Sequence, residues 1–175
     1  FEHILSGIDH LLFVLALIIL MTHFKTMLVT ITFFTIGHSM TLSLAVLEVI
    51  YLPSRLAEFA IAVSLLVLAA EINQKKKSFM TRYPWGMSLF FGLIHGLGFA
   101  GALKEVGLPQ SQIPLTLFSF NLGIEVGQVI FIGAIFLILV LLKKFKISFP
   151  FWVQKVQTYL IGSAASFWCI ERALS

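Results

Sequence analysis

The stretch "LTLFSFNLGIEVGQVIFIGAIFLILVLL", residues 115–142, is the longest apolar run in the chain. A helix of about 20 apolar residues crosses the hydrocarbon core of a bilayer, so this run is long enough for one span. Apolar and polar residues do not alternate in it, as they would in a strand of a membrane barrel. The stretch therefore predicts a transmembrane α-helix.

Five further apolar runs flank this stretch, and the composition of the whole chain agrees with them. Of the 175 residues, 59% are hydrophobic and 11% charged, with a mean hydropathy of +1.00. Soluble domains carry about 25% charged residues. We therefore predict an all-α integral membrane protein, with residues 1–175 forming a single transmembrane domain, a bundle of about six helices near 2–22, 26–50, 54–73, 85–104, 115–142 and 150–172.

The distribution of basic residues predicts the orientation of the bundle. Nine Lys and Arg residues lie in or beside the first, third and fifth connections, whereas Arg55, Lys104 and Arg172 lie on the opposite side. Because Lys and Arg mark cytoplasmic loops, both termini are predicted to be extracytoplasmic in a multi-pass protein of the cell (inner) membrane. The chain begins at Phe1, and we expect that a signal or extracytoplasmic segment preceded it.

The expected partners follow from charge and composition. The net charge of +4 is too small to indicate nucleic acid binding, so the lipid bilayer is the first partner expected. A homo-oligomer or a larger membrane complex is also compatible with the sequence. Cys169 is the only cysteine, which excludes an intrachain disulfide.

Several ionisable side chains fall inside predicted spans, where each costs about 2.5–3.5 kcal/mol on insertion scales. At a helix rise of about 1.5 Å per residue, His10 lies about 12 Å from the outer face, His95 about 14 Å, Glu125 about 15 Å and His38 about 18 Å. Groups from four helices are thus predicted to converge near the midplane. A single intramembrane histidine is often only an interhelical hydrogen-bonding residue, and the convergence favours a site instead. The candidate metal ligands are His3, Asp9, His10, His38, His95 and Glu125.

Further polar residues are expected to support this site. Asn121 and Gln128 lie on one helical stripe with Glu125, and Ser39 follows His38. Gly92 and Gly96 bracket His95 in a G-x-x-x-G pattern, which lets helices approach closely. The supporting residues are Asn121, Gln128, Ser39, Glu58 and Glu71, the last two near opposite ends of the third span. Glu71 at the inner end could instead reach the interface as a solvated residue.

Taken together, the motifs resemble those of the HupE/UreJ family of metal permeases. The resemblance rests on "HILSGIDH", "FTIGHSMTLSLA", "AVSLLVLAAEIN", "FGLIHGLGFA" and "FNLGIEVGQ", in that order. It implies nickel or cobalt uptake, and its motif positions here are His3, Asp9, His10, His38, His95 and Glu125. Some members have a second histidine in the fourth span, where this chain has Phe91.

Three hypotheses for function follow. The leading one is a permease for a divalent transition metal (nickel, cobalt or zinc), which is a transporter and not an enzyme, because imidazole and carboxylate suit such ions. The second is an intramembrane zinc-dependent hydrolase acting on a lipid or membrane-embedded substrate, with Asp9 or Glu125 as general base and Ser39 beside the site. The third is a non-catalytic subunit of a membrane complex. No separate organic cofactor is expected.

Overall fold

The computed structural model describes residues 8–21, 23–74, 79–105, 113–145 and 151–174. Within these residues all regular structure is helical, with six long helices, one short helix and no strand. The helices are α1 (Ile8–Leu20), α2 (Phe24–Val46), α3 (Ser54–Ile72), α4 (Phe79–Arg82), α5 (Pro84–Glu105), α6 (Ile113–Lys144) and α7 (Phe151–Leu174). The prediction of an all-helical chain is confirmed for this part of the protein.

Helix α2 ends four residues before the predicted end of the second span. Glu48 has a positive φ of 60°, its N–H donates to the Ala45 carbonyl at 3.2 Å, and the N–H of Val49 donates to the Leu44 carbonyl at 2.9 Å. These two bonds form a Schellman cap, in which the residue after the C-cap adopts the left-handed conformation. The cap stops the helix although the residues beyond it remain apolar.

Three further details distinguish the observed helices from the predicted ones. Helix α5 begins at Pro84, since proline lacks the N–H that would be unpaired at the first helical position. The connection predicted before it contains the one-turn helix α4. Helix α6 has 32 residues, a length of about 48 Å, which exceeds the hydrocarbon core of about 30 Å.

Direct backbone contact between α2 and α5 organises the centre of the bundle. A Cβ atom added at Gly92 would overlap the Phe34 carbonyl, and one added at Gly96 would overlap the His38 carbonyl. In the same way, Gly37 of α2 faces the Leu89 carbonyl of α5. Small residues at such positions allow two helix backbones to touch, so residues next to these glycines are brought close together.

The remaining helices surround this pair. The largest apolar cluster joins α1, α2, α3, α5 and α7 through residues that include Phe13, Phe34, Leu65 and Ile161. Helix α7 packs mainly against α3. The C-terminal half of α6 leaves Leu137 to Leu141 exposed, a surface that suits contact with lipid.

Two of the described helices, α2 and α6, are long and apolar enough to cross a bilayer, as judged by length and composition alone. Helix α1 is apolar but has only 13 residues between its described ends. The other long helices do not meet the same criterion over the residues described.

Candidate functional site

Three histidines from three helices meet inside the bundle. The exposed fractions of His10, His38 and His95 are 5%, 0% and 0%. The ring centroids of His10 and His95 lie 4.8 Å apart, and those of His10 and His38 lie 5.8 Å apart. Both pairs contact edge to face. We call these three residues the histidine cluster.

The position of each histidine follows from its helix. Residues 38 and 95 flank the glycine contact between α2 and α5, because His38 supplies the carbonyl that covers Gly96. His10 comes from the first turn of α1, which packs onto the same core as Phe34 of α2. The cluster therefore depends on the close backbone contact between α2 and α5.

Aromatic side chains enclose the histidine cluster. Phe13 lies 4.8 Å from the His95 ring and Phe34 lies 5.2 Å from it, centroid to centroid. On the α6 side, the Phe120 ring lies 6.3 Å from that of His38. Phe91 is buried, and its ring lies 5.6 Å from that of Phe13. Such a dry, aromatic wall strengthens every electrostatic interaction within it.

A serine of α3 contacts the cluster through His95. The Ser64 hydroxyl lies 3.0 Å from His95 Nε2 and donates to the Ile61 carbonyl at 2.6 Å. Ser64 is 2% exposed, so water does not compete for this contact. The other ring nitrogen of His95, Nδ1, is buried and has no hydrogen-bond partner among the residues described.

Asp9 lies between the cluster and the end of the bundle. One carboxylate oxygen accepts a hydrogen bond from the His10 backbone N–H at 2.9 Å and lies 3.5 Å from His10 Nδ1. The other oxygen lies 3.6 Å from the Arg172 guanidinium. Asp9 was predicted from the sequence as a metal ligand, and its described contacts are to the adjacent His10 and to Arg172 of α7.

Arg172 joins three helices at this end. Its guanidinium donates to the Glu58 carbonyl at 2.8 Å, lies 3.6 Å from the Glu58 carboxylate and contacts Asp9 as above. Arg55 in turn donates to the Arg172 carbonyl at 3.1 Å. We call Asp9, Glu58 and Arg172 the charged cap. Glu58, predicted as a supporting polar residue, thus contacts the C-terminal end of α7.

The polar stripe of α6 meets α2 away from the three imidazoles. Glu125 accepts a hydrogen bond from Thr32 at 3.1 Å, and Gln128 accepts one from Thr35 at 3.2 Å. Thr32 lies six residues from His38, about 9 Å along the helix axis. Glu125 was predicted to lie at the depth of the histidines, whereas its described contact is with Thr32, at a neighbouring level of α2. The side-chain oxygen of half-buried Asn121 has no partner among the described residues.

Two further candidates, Ser39 and Glu71, make no described contact with the cluster. Ser39 donates its hydroxyl to the Thr35 carbonyl at 2.7 Å, so its described contact is with its own helix. Glu71 is partly exposed in the last turn of α3, at the end opposite Glu58. His3 lies outside the described residues.

The side-chain types of the histidine cluster suit a transition metal, but their observed geometry does not form a metal site. Neutral imidazole nitrogens are preferred ligands of nickel, cobalt and zinc. Over the described ranges, however, no three His, Cys, Asp or Glu side chains are arranged so that they could together hold one ion. The edge-to-face rings would have to turn for their nitrogens to converge.

Sequence reasoning missed Ser64 and Arg172. Ser64 donates a hydrogen bond to its own helix, and nothing in its spacing indicates the second contact with His95. In the sequence, Arg172 was only one of three basic residues on the predicted extracytoplasmic side. The two acidic residues near the same outer level, Asp9 and Glu58, could have indicated that a cation faces them.

Comparison with protein families gives a match over nearly the whole chain. The model of the HupE / UreJ protein family matches residues 1–172. The chain belongs to this family. Comparisons with curated proteins and with solved structures gave no match. HupE/UreJ membership and the two apolar helices indicate a membrane protein.

Proposed function

We propose that this HupE/UreJ protein is a permease that moves a divalent transition metal, nickel or cobalt first, across the cell's inner membrane. The observation that carries the proposal is the histidine cluster, three buried imidazoles contributed by α1, α2 and α5. Packing alone gives no reason to bury three such groups in mutual contact, since polar groups in a membrane interior are costly.

A transported ion must be bound and then released, and the cluster suits that requirement. Imidazole binds nickel and cobalt strongly enough to replace water, and binding requires the neutral ring. The His10 ring contacts the other two edge to face. The three rings would turn to coordinate the ion together when it binds, and would return to this packing when it leaves. Protonation of the rings would favour release and offers a way to couple transport to protons.

The path that we propose starts at the charged cap and ends near Glu71. Asp9 and Glu58 at one end of the bundle would attract the cation, with His3 as an outer station. Glu125 and Gln128 would provide oxygen ligands on the neighbouring level. In the sequence, nine of the twelve Lys and Arg residues lie in or beside the first, third and fifth predicted connections, which favours extracytoplasmic termini for a bundle of six spans.

A zinc-dependent hydrolase is the second candidate. Three histidines with an open position are typical of catalytic zinc sites, and the Asp9 carboxylate lies 3.5 Å from a ring nitrogen of one of them. Such an enzyme would retain its zinc tightly, whereas a permease would exchange its ion.

Metal flux into proteoliposomes tests the proposal. Purified protein is reconstituted with a metal-sensitive dye inside the vesicles, and nickel, cobalt or zinc is added outside. We expect nickel or cobalt influx that is lost in His38→Ala/His95→Ala and kept in Gly86→Ala, whose added Cβ meets no atom within 4 Å. No flux, together with one zinc retained per chain after dialysis, would favour the hydrolase.

A further inference from the structure

Ser64 of α3 makes two hydrogen bonds with its hydroxyl oxygen, in a region that water does not reach. The oxygen lies 2.6 Å from the Ile61 carbonyl oxygen and 3.0 Å from Nε2 of His95. The exposed fraction is 2% for Ser64 and 0% for His95. Both contacts are therefore made without competition from solvent.

Counting protons fixes the direction of both bonds. A serine hydroxyl carries one proton, and a backbone carbonyl can only accept. The proton of Ser64 is thus given to the Ile61 carbonyl, and the bond to His95 must use the Nε2 proton of the imidazole. A neutral imidazole carries a single ring proton, so Nδ1 of His95 holds the lone pair.

That lone pair lies inside the histidine cluster. Nδ1 of His95 is buried with no hydrogen-bond partner in the part of the chain that the structure describes. The ring of His10 lies 4.8 Å from that of His95, and the rings of Phe13 and Phe34 lie 4.8 Å and 5.2 Å from it. The phenyl rings offer no hydrogen-bond donor, and no donor among the described residues, His10 included, uses the lone pair on His95 Nδ1.

We propose that Ser64 is a positioning residue that holds His95 in the tautomer with its lone pair on Nδ1, ready to bind a transition metal ion. This extends the proposed function, on which the metal-binding part rests. In metal sites, a partner that accepts the second ring N–H fixes the tautomer and orientation of the histidine, and loss of such a partner typically costs about 10–100-fold in metal affinity. Here a helix back-bonding serine acts as that partner.

The test begins with the metal-free protein. In 15N-histidine-labelled protein in nanodiscs, above the pH at which its histidines titrate, nitrogen NMR reports which ring nitrogen of His95 carries the proton. We expect the proton on Nε2 in the wild type and in Ser166→Ala, and a mixture of tautomers in Ser64→Ala. Ser166 is the matched control, since its hydroxyl donates to the Gly162 carbonyl at 2.8 Å in the same way on α7. A wild-type proton on Nδ1 would overturn the proposal.

Nickel affinity gives the second readout. Ser64→Ala should lose about 10–100-fold in affinity, Ser64→Thr should recover most of it because the hydroxyl is kept, and Ser166→Ala should match the wild type. Equal affinity in Ser64→Ala and wild type would contradict the positioning role. A wild type that binds no nickel, cobalt or zinc would refute the proposed function, while the tautomer measurement would still decide the role of Ser64.

Discussion

Helix α2 faces α5 on one side and α6 on another, and both neighbours carry glycines and polar groups. Against α5 the backbones touch at Gly92 and Gly96, and two imidazoles lie beside that contact. Against α6 the polar side chains Glu125 and Gln128 are each met by a threonine hydroxyl. The contact between α2 and α5 brings histidines together. The contact between α2 and α6 consists of separate hydrogen bonds, each from one threonine to one acceptor.

This difference shows what a small-residue pattern can and cannot do. Glycine brings two helices into contact, but a site forms only where the residue next to the glycine points into the same space. His95 precedes Gly96, whose Cβ position is filled by the His38 carbonyl. The Glu125 carboxylate accepts a hydrogen bond from Thr32, and it makes no described contact with a histidine of the cluster.

The largest effect is expected from filling the α2–α5 contact. Gly92→Ala and Gly96→Ala would each place a methyl group on a backbone carbonyl of α2, with an expected loss of about 1–3 kcal/mol or more in the free energy of unfolding. Gly86→Ala on α5 and Gly133→Ala on α6 meet no atom within 4 Å and should be neutral or slightly stabilising. Thermal unfolding in detergent measures all four, and equal melting temperatures would refute the close contact.

The next effect separates the two sides by metal affinity. His95→Ala should weaken nickel binding by more than about 10–100-fold, the range for loss of a supporting partner, since it removes a proposed ligand. Glu125→Gln should change it by less than tenfold, because the amide oxygen can still accept the Thr32 hydrogen bond. Isothermal titration with nickel provides both values. An equal loss in the two variants would show that α6 belongs to the same site.

A smaller effect is expected at the charged cap, which covers the cluster at one end. Arg172→Gln removes the cation that contacts Asp9 and Glu58, and should raise the association rate of nickel several-fold at low salt. High salt should reduce the difference, because salt screens the more exposed Glu58 carboxylate, and it should reduce the attraction of partly buried Asp9 less. Arg82→Gln removes the same charge at the opposite end and serves as the control in stopped-flow measurements. A slower rate in Arg172→Gln would contradict the role of these carboxylates in attracting the ion.

The smallest effect concerns the end of α2, the helix that both contacts share. Glu48 has a φ of 60°, a conformation that costs a side-chain-bearing residue roughly 1–2 kcal/mol. Glu48→Gly should therefore stabilise the protein by up to about 1 kcal/mol. Chemical unfolding checks the sign, and a destabilised variant would mean that the Glu48 side chain contributes more than its backbone costs.

Much of the fold follows from the sequence, because a run of apolar residues long enough to span a bilayer has few alternatives to a helix. The positions of His10, His38 and His95 on three predicted helices suggested a common level, and the His10 ring does meet those of His38 and His95. Helix ends were less predictable. The early end of α2 depends on a left-handed residue, and glutamate at position 48 gives no indication of that conformation.

The contacts of the site depend on rotations that the sequence does not fix. Residue depth placed Glu125 with the histidines, but depth says nothing about which neighbour a side chain meets. Ser64 and Arg172 reach the site from α3 and α7, which pack against each other. Neither helix carries a histidine, so the pattern of ligands did not indicate them.

X-ray absorption at the nickel edge tests most directly whether the histidine cluster is the metal site. The spectrum of the nickel-loaded wild type should contain the scattering pattern of coordinated imidazole. That pattern should weaken in each of His10→Ala, His38→Ala and His95→Ala, and persist in Glu125→Gln. A wild-type spectrum with oxygen ligands alone, or one that is unchanged in all three histidine variants, would contradict the account.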